Sequence, residues 1–287
     1  MSPIVVIVSV ASLAVVAFVL FLALTYNWGV GAAVNRRRLA RDDGYFVGFC
    51  ASGSQSRWRW MNRWLPKDPR CRLCLVPFGG VGRVLRIQPS RKNPNLCKSC
   101  FEMAPLGASD MEVGVLFADI RGFTAWCEDR TPEAVEDALN RFYAVSTGVL
   151  VRTDAIIDKL VGDQVMGLYM TVFPSLGDKT CEVMVETAIE MLRRFEAGDP
   201  ALPVGVGATF GIARVGNLGE EPVKDFTAVG DVVNTAARLQ ACAAPGQIVM
   251  SDAVFERLGG RYPDATPMKI SVKGRSGVPA HVLATHS

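Results

Sequence analysis

Charged residues are scarce in this 287-residue chain, at 21% against 49% hydrophobic residues. That balance is unusual for a wholly soluble protein. The apolar surplus is concentrated near the start, where residues 4–24 carry no charged side chain. At about 1.5 Å per residue, a helix of this length crosses roughly 30 Å, the thickness of the hydrocarbon core of a bilayer. The sequence therefore predicts a transmembrane helix within an N-terminal anchor at residues 1–35.

No basic residue precedes this apolar run and no clear cleavage pattern follows it. Both absences favour a retained anchor over the alternative, a cleaved secretory signal. Arginines occur instead just after the run, at positions 36, 37, 38 and 41. Because basic residues beside a membrane helix stay inside the cell, we expect a single-pass protein of the cell membrane whose remaining chain is cytoplasmic.

Acidic residues are few in the next part of the chain. Residues 36–109 contain 15 Lys and Arg against 4 Asp and Glu, whereas residues 110–287 contain 16 against 24. Anionic lipid attracts a basic segment by about 1 kcal/mol per nearby cation. Residues 57–64 alternate tryptophan with arginine, which suits a lipid surface or, as an alternative partner, nucleic acid. We favour membrane lipid and predict a basic aromatic juxtamembrane linker at residues 36–70.

The eight cysteines do not indicate disulfide bonds, because a cytoplasmic compartment keeps thiols reduced. Cys71 with Cys74 and Cys97 with Cys100 form two CxxC pairs separated by 22 residues. Four thiolates complete a closed tetrahedral shell, which is typical of structural zinc. We therefore predict a small zinc-ribbon-like unit at residues 71–109, termed the four-cysteine segment. A redox-active dithiol pair and an iron–sulfur cluster are the alternatives.

The remaining cysteines are scattered along the chain. We predict that they are small buried hydrophobic residues. They are Cys50, Cys127, Cys181 and Cys242.

From residue 111 onward, apolar strands alternate with amphipathic helices. Strands are predicted at 112–119, 155–160, 164–170, 204–215, 223–228, 247–250, 268–272 and 280–283. Helices are predicted from Thr131, at 180–195 and at 232–241. This order indicates an α+β domain at residues 110–287, with helices over one mostly antiparallel sheet.

Two carboxylates stand beside glycines at predicted strand ends, Asp119 and Asp163. Carboxylate oxygens that converge where the backbone can approach closely would hold a hard divalent cation such as Mg²⁺. The alternative is that each aspartate only begins a turn. Asn234 and Arg238 lie four residues apart on one helix face, where an amide and a permanent cation suit a phosphate group. A solvated helix face would explain this second pair equally well.

Together these segments resemble the catalytic domain of class III adenylyl and guanylyl cyclases. The resemblance runs in the family's order across nearly all of residues 111–285. Its matching stretches are Leu116–Thr124, Lys159–Gly167, Gly211–Gly219, Asp225–Leu239 and Val272–Gly274.

The resemblance implies a ferredoxin-like fold that pairs head to tail, with two Mg²⁺ or Mn²⁺ ions in each active site at the dimer interface. It implies that Asp119, Asp163 and the Ile120 carbonyl are metal ligands. It also implies that Asn234 orients the ribose and that Arg238 stabilises the charged transition state. Lys273 would hold the terminal phosphates of the nucleotide.

By the same resemblance, Lys159 and Thr227 read the base. Cyclases that use guanine commonly carry Glu and Cys there, so this pair points to ATP. We therefore expect an adenylate cyclase that forms 3′,5′-cyclic AMP and pyrophosphate. The alternatives are a guanylate cyclase, or a silent dimerising or nucleotide-sensing module, whose usual mark is a lost metal aspartate or Asn–Arg pair.

Two features of the sequence qualify the resemblance. The glycine pair usual ahead of the base-reading lysine is replaced by Asp154 and Ala155, and Ala213 and Arg214 stand where a histidine and a second glycine are common. By the family's geometry, Lys159 and the metal aspartates serve different active sites. Since one chain carries both complete sets, we expect a homodimer with two sites.

Overall fold

The computed structural model describes residues 62–65, 69–100, 106–173, 175–198, 202–220, 223–272 and 275–285. The predicted anchor at 1–35, most of the juxtamembrane linker, Cys50 and Lys273 lie outside these residues. Among the helices that are described, none combines the length and apolar character needed to cross a bilayer.

The helices begin where the sequence supplies start signals. The long helix α3 starts at Pro132, because the Thr131 hydroxyl accepts a hydrogen bond from the Ala134 amide and proline fits the first turn. The short helix α2 follows Gly122, which has a left-handed backbone. In chain order the helices are α1 (Val81–Val84), α2 (Phe123–Glu128), α3 (Pro132–Arg152), α4 (Thr180–Glu196), α5 (Asp231–Cys242) and α6 (Asp252–Arg257).

Eight strands form one sheet in the order β2-β3-β1-β4-β6-β8-β7, with β5 paired to β4. The neighbours are antiparallel except β4 and β6. The succession β1-α3-β2-β3-α4-β4 with this order is the ferredoxin-like arrangement, as predicted. The strands are β1 (Gly107–Ile120), β2 (Ile156–Val161), β3 (Gln164–Met170), β4 (Val204–Glu220), β5 (Val223–Val229), β6 (Gln247–Ser251), β7 (Thr266–Val272) and β8 (Arg275–Ala284).

Helices cover both faces of the central strands. A Cβ atom at Gly114 of β1 would meet Met184 of α4, whereas a Cβ atom at Gly207 of β4 would lie 2.2 Å from the Gln240 nitrogen of α5. Alternate residues of a strand point to opposite faces, and Gly205, like Gly207, faces the end of α5. The glycines of β4 therefore let α5 lie directly on the sheet.

The four-cysteine segment joins the main hydrophobic core. Leu73, Val76, Ile87 and Leu96 are buried in the same cluster as the side chains of β1, β3 and α4. The segment is therefore packed against the α+β domain, and β1 already begins at Gly107 within residues 71–109.

Local corrections to the predictions are few. Helices α1, α2 and α6 were not predicted, and β1, β4, β7 and β8 extend beyond their predicted ends. Cys181 is buried as predicted, whereas the prediction of burial is wrong for Cys242, which is exposed on the last turn of α5. Cys127 is only partly buried. Cys242 is exposed because an amphipathic helix such as α5 buries only one of its faces and Cys242 lies on the other.

Candidate active site

Asp119 and Asp163 are brought together by the pairing of β1 with β3. Asp119 lies opposite Gln164 in that ladder, and Asp163 occupies the turn just before it. The Ile120 amide donates to the Asp163 carbonyl at 3.1 Å, which fixes the end of β1 against the turn. Gly162 makes the turn possible because its φ is +57°. The two predicted carboxylates therefore share one corner of the sheet.

The groups around Asp119 have opposite effects on its pKa. Partial burial raises the pKa of Asp119, the adjacent Arg121 guanidinium lowers it, and the Asp163 carboxylate raises it. Arg121 also donates to the Asp119 carboxylate and so supplies a cation to it. Two carboxylates and the neighbouring Ile120 carbonyl form a set of hard oxygen donors, which suits Mg²⁺ or Mn²⁺.

Lys159 and Thr227 meet in a cavity of about 320 Å³. The Lys159 ammonium donates to the Thr227 hydroxyl at 3.0 Å. Apolar side chains of Phe117, Met166 and Val233 line the same cavity. The structure thus brings together the two residues that the resemblance assigns to base reading.

A third polar residue, Asp158, lies beneath this pair. The pairing of β2 with β3 shifts register between Ile157 and Lys159, and such a bulge re-aims the side chain next to it. The Asp158 side chain is fully buried at 0% exposure, while Lys159 is 47% exposed. Asp158 accepts from the Thr227 hydroxyl at 2.8 Å and from the Lys159 ammonium at 3.3 Å.

These contacts fix the direction of the Thr227 hydroxyl. An ionised carboxylate only accepts hydrogen bonds and an ammonium group only donates them. The Thr227 hydrogen is therefore directed to Asp158, and the Thr227 oxygen presents its lone pairs to Lys159 and to the cavity. The cavity wall consequently combines a donor, Lys159, with an acceptor, Thr227.

Asn234 and Arg238 lie one turn apart on α5, as their spacing predicted. Asn234 is exposed and Arg238 is half-buried. Neither side chain has a hydrogen-bond or ion-pair partner among the described residues. Val233, the neighbour of Asn234, lines the cavity that holds Lys159 and Thr227. The start of α5 therefore connects that cavity with Asn234 and Arg238.

The four cysteines of the four-cysteine segment converge on one point, and their sulfur atoms all lie within 4.8 Å of one another. The distances are 4.0 Å from Cys71 to Cys100, 3.7 Å from Cys74 to Cys97 and 3.3 Å from Cys97 to Cys100. Tetrahedral zinc with bonds of about 2.3 Å separates its sulfur ligands by about 3.8 Å, so the cluster has the right size.

Contacts around the sulfur atoms favour the thiolate at Cys71, whereas the pKa values of Cys74 and Cys100 are raised well above their ordinary value. Hydrogen bonds from Cys100, Cys74 and Cys97 hold the pKa of Cys71 far below its ordinary value. The Cys97 amide also donates to the Cys71 sulfur at 3.2 Å. The thiolate is the form that ligates metal, so these donors suit the predicted site.

Sequence reasoning missed three residues that shape these sites. Arg121 and Asp158 are sequence neighbours of predicted ligands, and their proximity was the available signal. Lys92 also contacts Asp158, from 66 positions away, and no local pattern could have identified it.

Comparisons with known proteins identify the family to which this domain is similar. Residues 108–285 match the family described as adenylate and guanylate cyclase catalytic domain. An adenylate cyclase of Anabaena cylindrica is 30% identical over 156 residues, which cover 48% of this chain and 30% of that protein. A protein of Mycobacterium tuberculosis, described as uncharacterized, is 28% identical over 159 residues, 55% of this chain and 28% of that protein. The chain spans less than a third of the length of these curated relatives.

Two solved structures are also similar. The adenylyl cyclase CyaB from P. aeruginosa is 27% identical with a TM-score of 0.56, over 62% of this chain and 96% of that chain. The guanylyl cyclase Cya2 is 26% identical with a TM-score of 0.55, over 62% of this chain and 92% of that chain.

Proposed function

Since the chain belongs to the family of adenylate and guanylate cyclase catalytic domains, we propose that it is an adenylate cyclase. It would convert ATP to 3′,5′-cyclic AMP and pyrophosphate. The similar structures include an adenylyl cyclase and a guanylyl cyclase. The choice of base therefore rests on the cavity that holds Lys159 and Thr227, termed the base cavity. The observation that carries the proposal is the contact of Lys159 with Thr227 above Asp158.

The donor and acceptor of the cavity complement adenine. Adenine offers an acceptor at N1 and a donor at its 6-amino group, which suit the Lys159 ammonium and the Thr227 oxygen respectively. Guanine reverses both groups, and its O6 acceptor would face the Thr227 lone pairs. A buried polar group without a partner costs about 1–3 kcal/mol, which favours ATP over GTP.

The reaction is an in-line attack of the ribose 3′-hydroxyl on the α-phosphorus, with pyrophosphate as the leaving group. Asp119, Asp163 and the Ile120 carbonyl would hold two Mg²⁺ or Mn²⁺ ions, which supply Lewis-acid stabilisation of the phosphate charge. Asn234 would orient the ribose, and the Arg238 guanidinium would offset the charge that develops on the phosphate. Lys273 would hold the terminal phosphates.

We further propose that the active form is a head-to-tail homodimer. Large apolar side chains are exposed on the β2–β3 and β4–β5 hairpins, which flank the base cavity, and exposed apolar patches often mark protein interfaces. They are Leu160, Val161, Ile212, Val223 and Val229. In such a dimer each site would combine Asp119 and Asp163 of one chain with the base cavity and α5 of its partner.

The N-terminal part completes the proposal. Residues 1–35 would anchor the protein in the cell membrane with the catalytic domain in the cytoplasm, and the basic residues of 36–70 would contact anionic lipid. The four-cysteine segment would hold structural zinc, since its four thiols fit a closed tetrahedral shell.

Turnover by the full chain in lipid nanodiscs tests the enzymatic proposal. With Mn²⁺ and ATP we expect cyclic AMP and pyrophosphate, and Asp119→Ala should abolish both. The matched control is Asp110→Ala on the same strand, whose carboxylate pairs with Arg214 at the surface. Equal rates for wild type and Asp119→Ala would refute the proposal. Preferential use of GTP would establish the guanylate alternative, and turnover of neither nucleotide would favour a silent module.

Bulk metal analysis tests the zinc proposal. We expect about one zinc per chain in the wild-type protein and in the exposed-cysteine control Cys242→Ser, and none in Cys71→Ser. Zinc below about half an equivalent in the wild type would contradict a structural zinc site.

A further inference from the structure

The four-cysteine segment is bound to the strand that carries Lys159. The Ile157 amide of β2 donates to the Lys92 carbonyl at 2.8 Å. The Asn93 side chain donates to the Ala155 carbonyl at 2.8 Å. These bonds join the loop between the two CxxC pairs to the start of β2.

The four-cysteine segment also holds the end of α3. The Asn95 amide group donates to the Val151 carbonyl at 2.8 Å, and the Arg72 guanidinium pairs with the Asp154 carboxylate. Asp154 has a φ of +61°, a left-handed conformation that usually selects glycine. The departure from the family's glycine pair therefore lies where the four-cysteine segment makes contact.

Lys92 extends from this loop to the floor of the base cavity. Its ammonium donates to the Asp158 carbonyl at 2.8 Å and to the Phe226 carbonyl at 2.7 Å. It also pairs with the Asp158 carboxylate at 3.3 Å and with the Asp225 carboxylate at 2.8 Å. Only 16% of the Lys92 side chain is exposed. Lys92 thus links β2 to β5, the two strands that supply Lys159 and Thr227.

The charges explain what this link does. A fully buried carboxylate such as Asp158 needs a cation nearby, because desolvation strongly disfavours an unpaired charge. Both Lys92 and Lys159 contact it. When Lys159 turns toward a base, Lys92 still neutralises Asp158. Without Lys92, that movement would leave Asp158 with no cation in contact among the described residues.

We propose that Lys92 is a positioning residue for base recognition, through which the four-cysteine segment sets the affinity for ATP. Lys92 pairs with Asp158 and holds it in place, Asp158 orients the Thr227 hydroxyl, and Lys159 can turn to donate to the base. This inference rests on the proposed function, because it assigns Lys159 and Thr227 to the reading of adenine.

Steady-state kinetics of Lys92→Met in the full chain test the inference. We expect the KM for ATP to rise about tenfold and the preference for ATP over GTP to shrink, with kcat within about twofold of wild type and the metal content of the cysteine cluster unchanged. The control is Lys98→Met in the same segment, whose ammonium donates to the exposed Gln88 side chain. A KM for Lys92→Met equal to that of the control would overturn the inference.

A double-mutant cycle tests whether Lys92 acts through Asp158. Lys92→Met should add little to the defect of Asp158→Asn, because the carboxylate that Lys92 neutralises is then absent. Fully additive effects on KM would contradict the pathway. Loss of metal together with a lower kcat at unchanged KM would mean that Lys92 only holds the fold, and would also overturn the inference.

Hydrogen exchange gives a result that does not depend on turnover. Amides at residues 155–159 and 225–228 should exchange faster in Lys92→Met than in Lys98→Met, while residues 204–210 of β4 should be unchanged. Equal exchange would overturn the inference even if the wild-type protein cyclised neither nucleotide, in which case the proposed function would fail separately.

Discussion

Thr227 illustrates how a buried neighbour gives a hydroxyl group a single role. A free threonine hydroxyl both donates and accepts, and would tolerate either purine. In this protein Asp158 takes the hydrogen at 2.8 Å, so only the acceptor faces the cavity. In the proposed function, discrimination between bases would therefore depend on a carboxylate that is itself fully buried.

Thr227→Val should reduce kcat/KM for ATP by about 5- to 160-fold, because the loss of one buried acceptor corresponds to about 1–3 kcal/mol. Turnover of GTP should change less, so discrimination should fall. Thr171→Val is the matched control, since the exposed Thr171 hydroxyl donates to the Glu112 carbonyl away from the cavity. The measurement is kcat/KM with ATP and with GTP for both variants. A ratio of the two values that is the same as in wild type would exclude Thr227 from base reading.

At the scale of elements, the position of α5 depends on the glycines of β4. A Cβ atom at Gly207 would lie 2.2 Å from the Gln240 nitrogen and 2.5 Å from the Ala236 oxygen, both backbone atoms of α5. Backbone atoms cannot rotate aside as a side chain can. The helix that carries Asn234 and Arg238 would have to move as a body.

Gly207→Ala should therefore lower the free energy of unfolding by about 1–3 kcal/mol and reduce kcat through displacement of α5. Gly148→Ala in α3 is the control, because a Cβ atom there meets nothing within 4 Å and the position is exposed. That control should gain about 0.5–1 kcal/mol. Urea unfolding and turnover measure both effects, and equal behaviour of the two variants would contradict the close packing of α5.

The burial of Tyr169 on β3 leads us to predict a loss of stability at alkaline pH. Burial raises its pKa to about 12, although hydrogen bonds with Thr153 and Thr187 partly oppose the shift. Because the folded-state pKa lies above the unfolded value near 10, the stabilisation is complete below pH 10 and is lost as the pH rises toward 12. At pH 11, wild type should have lost about 1.4 kcal/mol more than Tyr169→Phe, relative to pH 8. Urea unfolding at both pH values checks this, and parallel losses would refute it.

The elements that the sequence predicted well are those whose signals are local. The apolar run of β1, the glycine between β2 and β3 and the i, i+4 spacing of Asn234 and Arg238 are all signals from neighbouring residues. The bulge that buries Asp158 and the contact of Lys92 with it depend on strands distant in sequence. Such long-range contacts leave no periodic pattern in the chain.

For the whole molecule, the resemblance to the cyclases implies that the proposed active site consists of two half-sites from different chains. The aspartates share the corner of β1 and β3, while Lys159, Thr227 and α5 surround the base cavity. A homodimer would form two sites from these halves. Each site would then fail if either contributing half-site were damaged.

Mixed dimers test this division. Refolded or coexpressed Asp119→Ala and Arg238→Ala chains should together recover roughly a quarter of wild-type turnover per chain, since half of randomly formed dimers would contain one intact site of two. A mixture of Asp119→Ala with Asp163→Ala should recover nothing, because both changes damage the same half-site. Recovery in neither mixture would count against sites shared between chains.

The contact of Lys92 with Ile157 also has a consequence for solubility. Strand β2 ends the sheet, and an uncovered terminal strand offers free amide and carbonyl groups to any other extended chain. The Lys92 carbonyl occupies the Ile157 amide, and the four-cysteine segment covers this border of the sheet beside the exposed Leu160 and Val161. Oxidation of the cysteines or loss of the proposed zinc would therefore expose the edge of β2 to pairing with other chains. Either change would also alter the proposed affinity for nucleotide.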